Sequence, residues 1–118
     1  MSKRKDIDII RDINESIGRI ISYTSNMEYN AFIYEYKTQD AVIRNIEIMG
    51  EAVKLLSEKI KIENTDIPWK NIAGIRDKLI HDYFGVNIDI VWNIVKDEVP
   101  ELFSKIKDIL QNMTEENG

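Results

Sequence analysis

The residues best suited to chemistry lie together in one short stretch, Arg76 to Tyr83. Its eight positions hold the chain's single histidine, His81, together with an arginine, two aspartates, a lysine and a tyrosine. Histidine titrates near neutral pH, and arginine presents a planar fork of donors to phosphate oxygens. Asp77 lies four residues before His81, so on a helix the two share a face and the carboxylate can orient the imidazole ring.

These groups suit some reactions better than others. One histidine and no cysteine leave too few nitrogen and sulfur ligands per chain for zinc hydrolysis. Asp77 and Asp82 match poorly the convergent carboxylates of magnesium-dependent phosphoryl transfer, and no serine nucleophile is nearby in sequence. Metal-independent RNA cleavage fits best, because it needs a base for the 2′-hydroxyl, an acid for the leaving oxygen and a cation for the phosphate. A lone histidine beside a helix end can also be a structural or surface residue, so both interpretations stay open on the residues alone.

Helical geometry separates the arginine from the histidine. At about 3.6 residues per turn, Arg76 and His81 start about 140° apart on a helix. In addition, one histidine per chain cannot serve as both the general base and the general acid. A symmetric dimer with the two stretches facing each other would supply two histidines and two arginines to one composite site. If the chemistry is correct, the sequence therefore predicts a homodimer.

All the elements that must position this stretch are predicted to be helices, because apolar residues recur three and four positions apart. The predicted helices run from about Arg4 to Ser25, Glu28 to Tyr36, Thr38 to Ile60, Pro68 to between His81 and Phe84, and Asn87 or Asp89 to Asn112. No segment shows sustained alternation with a period of two. The sequence therefore predicts an all-α bundle of four to five helices as a single domain over residues 1–118, with a frayed tail at about 113–118.

Glycine and proline mark predicted ends and crossings of these helices. Pro68 suits a first helical turn, and Gly85 is a natural C-terminal stop. Pro100 must break or kink the last helix, since it lacks an N–H and its ring clashes in a helix interior. Gly50 suggests a close crossing by another helix, whereas Gly18 marks either a close approach or a tolerated defect.

Two further patterns have alternative interpretations. The rings of the second helix, Tyr29, Phe32 and Tyr36, either pack in the core or stack on a ligand. A polar stripe on the third helix, which includes Arg44 and Glu47, is either a solvated face, a polar interface or a support for the histidine site. Both patterns have the spacing of an ordinary amphipathic helix, so spacing alone does not decide between these interpretations.

Composition narrows the class of protein. The 118 residues are 43% hydrophobic and 31% charged, and 16 basic against 21 acidic residues give a net charge of −5. This charge disfavours non-specific coating of nucleic acid, so RNA contact would depend on local bases such as Lys70, Arg76 and Lys78. The N-terminus does not read as a signal peptide, and no apolar run approaches the roughly 20 residues of a membrane span. The sequence predicts a cytoplasmic protein with no membrane association.

The spacing Arg76, four residues, His81, one residue and Tyr83 resembles the signature of the HEPN superfamily, and specifically of its HepT-like toxins. Other segments are also similar to this family. They are residues 41–52, which look like its long central helix, Pro68-Trp69, residues 83–86 and residues 90–92. The resemblance therefore covers nearly the whole chain.

The resemblance implies a helical homodimer that acts as a metal-independent endoribonuclease without a cofactor, the toxin of a toxin–antitoxin pair. By this resemblance Arg76 and His81 carry catalysis, and Asp77 positions His81. The antitoxin would be a minimal nucleotidyltransferase that attaches AMP to Tyr83. A bulky anionic adduct beside the site would exclude RNA by its size and by repulsion from the phosphates.

Two other hypotheses remain. One is a catalytically silent HEPN module that binds RNA or a nucleotidyltransferase. The other is a purely structural helical bundle, against which the dense polar cluster argues.

Overall fold

The computed structural model describes residues 5–80 and 85–117, and all regular structure in these two ranges is helical. The α-helices are α1 Asp6–Thr24, α2 Tyr29–Phe32, α3 Tyr36–Lys54, α4 Glu58–Glu63, α5 Trp69–Ala73, α6 Ile75–Ile80, α7 Ile88–Asn93 and α8 Val99–Asn117. A π-helical segment, Ile94–Glu98, joins α7 to α8. The predicted all-α architecture is confirmed.

The core lies where the three long helices meet, because α1 packs against both α3 and α8. From α1 the buried isoleucines are Ile9, Ile10, Ile13, Ile17 and Ile20. α3 adds Val42, Ile46, Met49 and Val53, and α8 adds Val99, Ile106 and Ile109. Each fully buried side chain of this size contributes about 1.5–3 kcal/mol relative to an exposed one, so the apolar stripes read from the sequence stabilise the bundle.

The third predicted helix is not continuous. α3 ends at Lys54 and α4 begins at Glu58, so the prediction of one helix to Ile60 was wrong. Ser57 caps α4, since its Oγ accepts a hydrogen bond from the Ile60 N–H at 3.4 Å. The same hydroxyl donates to Asp6 Oδ2 at 2.6 Å, and the Ser57 N–H donates to Asp6 Oδ1 at 3.0 Å. These bonds to the start of α1 stabilise the break.

Two other predicted helices also differ from the structure. The second is shorter than predicted, only Tyr29–Phe32. The fourth is divided at Gly74 into α5 and α6, because Gly74 leaves helical geometry and is a poor helix former. α5 begins one residue after Pro68, as that proline predicted. The end predicted for the fourth helix, between His81 and Phe84, lies outside the described residues.

The break predicted at Pro100 takes the form of the π-helical segment that precedes it. In a continuous α-helix the Pro100 ring would strike the carbonyl of Lys96. The segment that contains Lys96 instead has a wider turn, in which the Val99 N–H bonds to the Ile94 carbonyl five residues earlier. Pro100 thus falls in the first turn of α8, where no N–H is needed.

The last helix continues to Asn117, past the end predicted near Asn112, and the predicted fraying of the tail stays a prediction. Within the two described ranges, no helix combines the length and apolar character required to cross a bilayer. The predicted cytoplasmic location also stays a prediction.

Candidate active site

The signature stretch begins on α6, which carries Arg76, Asp77 and Lys78 with their side chains exposed. His81, Asp82 and Tyr83 lie outside the described residues. The hydrogen bond predicted between Asp77 and His81 therefore stays a prediction.

Arg76 makes a tertiary ion pair with α3. Its Nε lies 3.7 Å from Oε2 of Glu47, and 70% of the arginine side chain and 38% of the glutamate side chain are exposed. The sequence had singled out Glu47 only as a member of a polar stripe. Three interpretations were left open for the polar stripe on the third helix. At Glu47 the ion pair favours the third of them, a support for the signature site.

A groove of about 370 Å³ runs beside this ion pair, between α3 and the α5–α6 region. Its polar and charged lining residues are Asp12, Arg44, Glu47, Glu51 and Arg76. Glu51 is paired with Lys54 at 3.0 Å rather than with an arginine of the groove. The groove therefore places a second guanidinium, that of Arg44, on the same surface as Arg76.

A close backbone crossing fixes α3 against the helix that carries Arg76. A Cβ added to Gly50 would stand 3.0 Å from the carbonyl oxygen of Ile72 and 3.2 Å from Cγ2 of Ile75. Few other residues could occupy position 50 without moving α5. The close crossing predicted from Gly50 is thus confirmed, and it brings α3 to the residue just before Arg76.

The chain beyond the undescribed residues 81–84 returns to the end of α6. The Asn87 N–H donates to the Leu79 carbonyl at 2.9 Å, and Gly85 has a φ of +84°, in the left-handed region that favours glycine. Gly85 therefore suits the predicted helix stop. Asn87 also caps α7, since its Oδ1 accepts from the N–H groups of Asp89 and Ile90 at 3.0 and 3.3 Å.

Aromatic side chains of α2 and α7 pack together next to this segment. Tyr29 donates a hydrogen bond of 2.6 Å to Asp89, and its ring meets Trp92 edge-on with centroids 6.3 Å apart. The bond to the Asp89 carboxylate is the main reason why the pKa of Tyr29 is raised above its usual 10.0. Phe32 is buried, as the core-packing interpretation predicted, but Tyr29 and Tyr36 are exposed. Core packing was therefore wrong for those two rings.

The three bases expected to contact RNA do not form one patch. Lys70 and Lys78 line a second groove of about 410 Å³, and Arg76 lines the first. Two positions along a helix differ by about 200°, which puts Arg76 and Lys78 on opposite sides of α6. Lys78 Nζ also lies 3.6 Å from a carboxylate oxygen of Glu98. Arg76 is thus the basic residue of α6 on the Glu47 side.

No group of three or more acidic or histidine side chains within the described ranges could hold a metal ion. Because His81 and Asp82 lie outside those ranges, the predicted metal-independent chemistry is not tested by this finding.

Comparison with known proteins identifies the class of protein. The profile of the family described as ribonuclease HepT-like matches residues 13–109, most of the chain. The chain therefore belongs to the HepT-like ribonuclease family, as the resemblance read from its sequence predicted. Membership of this family supports ribonuclease activity.

Individual relatives are similar over nearly their whole length. Two proteins of Methanocaldococcus jannaschii, named as candidate RNases, are each 42% identical, over 115 and 113 residues. These alignments cover 97% and 96% of this chain and 95% and 93% of the relatives. A protein of Thermococcus cleftensis, named as a probable ribonuclease HepT, is 41% identical over 107 residues, 91% of this chain and 97% of its own. No solved structure matches the chain at a significant level.

Proposed function

We propose that this chain is a metal-independent endoribonuclease and the toxin of a toxin–antitoxin pair, with Arg76 and His81 as its catalytic residues. The observation that carries the proposal is the family match over residues 13–109, which includes the whole signature. The exposure of Arg76 at the edge of the 370 Å³ groove agrees with it, because a phosphate-binding guanidinium must be reachable from solvent.

The proposed reaction needs two proton transfers at one phosphodiester. A histidine takes the proton of the ribose 2′-hydroxyl, and the 2′-oxygen attacks the phosphorus. The bond from phosphorus to the 5′-oxygen then breaks, and that oxygen receives a proton from a second histidine. Arg76 stabilises the charge that develops on the phosphate oxygens. Since each chain has one histidine, the proposed site is composed of two copies of the chain.

Control of the activity is proposed to act at Tyr83. A minimal nucleotidyltransferase antitoxin would attach AMP to the tyrosine hydroxyl, two residues after His81. The adduct would carry a negative charge beside the phosphate-binding site, so RNA would be repelled as well as blocked. Asp77, exposed on α6, is proposed to orient His81.

Incubation of the purified chain with RNA in the presence of EDTA tests the proposal. We expect cleavage to continue with EDTA, and His81→Ala and Arg76→Ala to abolish it. Arg19→Ala is the matched control, because Arg19 is an exposed arginine of α1 that pairs with Glu15 and does not line the groove beside Arg76. Loss of cleavage on adding EDTA would refute the metal-independent mechanism, and a monomer at micromolar concentration would contradict the composite site.

The alternative is a silent HEPN module that binds RNA or a nucleotidyltransferase without cutting. Intact RNA after long incubation, together with retained binding of the transferase, would establish that alternative.

A further inference from the structure

Glu47 and Arg76 are far apart in sequence but meet at 3.7 Å between α3 and α6. Both side chains are partly or largely exposed, so the pair is solvent-screened and contributes little to the free energy of unfolding. A weak pair can still restrict the positions of a long side chain. Its main effect is therefore on where the guanidinium of Arg76 lies.

The packing of the backbone sets the distance between these two residues. Gly50 follows Glu47 by three positions, so it lies on the same side of α3. There α3 lies against Ile72 and Ile75 so closely that a methyl group does not fit at position 50 without displacing its neighbours. Ile75 directly precedes Arg76, and it is buried. The base of each side chain is thus anchored, and only the ends of the side chains are free to move.

The atom that faces Glu47 is Nε of the guanidinium. A guanidinium has five N–H donors, of which one is on Nε and four are on the two terminal nitrogens. Pairing at Nε leaves the terminal nitrogens available for a phosphate, which they can bind through two parallel hydrogen bonds. Glu47 and Arg76 line the same 370 Å³ groove, so a phosphate that enters it meets an arginine already restricted in position.

From this geometry we propose that Glu47 is a positioning residue, which holds Arg76 by its Nε so that the terminal nitrogens face the phosphate of bound RNA. This inference rests on the proposed catalytic role of Arg76. Glu47 does not contact the RNA itself. Its carboxylate limits the orientations of the guanidinium before substrate binds. The entropy cost of orienting Arg76 is therefore already met when the transition state forms.

Glu47→Gln is the principal test variant, since it keeps the shape of the side chain and removes its charge. We expect kcat for RNA cleavage to fall about tenfold, with a smaller change in KM, because misplacement of a catalytic group by a fraction of an ångström has effects of this order. Glu51→Gln is the matched control. It removes the same charge one turn further along α3 in the same groove, but Glu51 pairs with Lys54.

A spectroscopic measurement separates this inference from the proposed ribonuclease function. In ¹⁵N-labelled protein, Glu47→Gln should shift the Nε–H resonance of Arg76 and speed its exchange with solvent, whereas Glu51→Gln should leave both unchanged. Absence of cleavage by the unmodified chain would refute the ribonuclease proposal. The Arg76 resonance would still report whether Glu47 holds the guanidinium.

Binding of an RNA with deoxyribose at the cleavage position completes the test. In line with the smaller change in KM, Glu47→Gln should weaken the binding of this uncleavable RNA by less than tenfold in the unmodified background, and it should have no effect in an Arg76→Ala background. A similar loss in both backgrounds would overturn the proposal, because Glu47 would then act without Arg76. An unchanged Arg76 resonance in Glu47→Gln, or cleavage as fast as that of Glu51→Gln, would overturn it as well.

Discussion

Gly50 of α3 and Ile72 of α5 approach so closely that a Cβ at position 50 would stand 3.0 Å from the Ile72 carbonyl oxygen. The contact is with backbone, which cannot rotate away as the end of a side chain can. We therefore expect Gly50→Ala to force α3 and α5 apart at the usual overpacking cost of about 1–3 kcal/mol. Because alanine in a helix interior returns about 1 kcal/mol, the free energy of unfolding should fall by up to about 2 kcal/mol. Denaturation in urea measures this loss.

Gly18→Ala is the control for this prediction, because Gly18 also lies inside a long helix. A Cβ there would meet the Phe103 ring at 3.8 Å, an ordinary van der Waals distance. Alanine is favoured over glycine in a helix interior by about 1 kcal/mol, so this variant should be as stable as the unmodified chain or more stable. If both variants lost the same stability, the crossing at Gly50 would not be the cause.

Asn87 stabilises the start of α7 through two hydrogen bonds to its side-chain oxygen. Asn87→Ala removes this cap and should lower the free energy of unfolding by about 1 kcal/mol. Asn87→Asp keeps an oxygen acceptor and should leave stability nearly unchanged. Chemical denaturation of the three proteins measures both effects, and equal stability of the alanine variant would show that the cap contributes nothing.

The hydrogen bond from Tyr29 to Asp89 should make stability depend on pH in the alkaline range. Because this bond raises the pKa of Tyr29 in the folded chain, the folded state keeps the phenolic proton at a pH where the unfolded state loses it. The contribution to stability is therefore complete below the unfolded pKa near 10.0 and is lost as pH rises through the folded pKa.

The check on this prediction is the difference in tyrosinate absorbance between the unmodified chain and Tyr29→Phe during an alkaline titration. The group missing from the variant should titrate above the usual range of tyrosine. Titration of that group within the usual range would show that Asp89 does not hold the proton on Tyr29. Asp89→Asn should bring the titration of Tyr29 back toward that range.

Modification of Tyr83 should depend on its hydroxyl alone. With ATP and the cognate nucleotidyltransferase, the intact mass of the chain should rise by one or more AMP groups, and cleavage of RNA should stop. Tyr83→Phe lacks the acceptor oxygen, so its mass should not change and its ribonuclease activity should persist. Equal modification of Tyr83→Phe would assign the acceptor elsewhere, and the exposed Tyr34 would be the first alternative to examine.

The helices of this protein and much of its buried surface can be predicted from sequence alone, because helical periodicity and the chemistry of single residues are local properties. Ile10, Ile13, Ile17 and Ile20 of α1 recur at the spacing of one helix face, and all four are buried. Pro100 required a local break, since a proline without an N–H cannot continue an α-helix, and a π-helical segment lies there. The spacing of Arg76, His81 and Tyr83 pointed to the family that the comparison then showed.

The tertiary structure decided what local pattern cannot express. The apolar spacing continues across the break between α3 and α4, so the sequence pattern does not reveal the break. The break is stabilised by hydrogen bonds from Ser57 to Asp6, which lies 51 residues earlier in the chain. The pairing of Glu47 with Arg76 likewise joins two helices whose separation is set by the missing side chain of Gly50. The sequence by itself determined the residue types proposed for catalysis and the helical setting of Arg76. Only the packing of α3 against α5 and α6 determined which carboxylate faces the arginine, because that choice depends on contacts between residues distant in the chain.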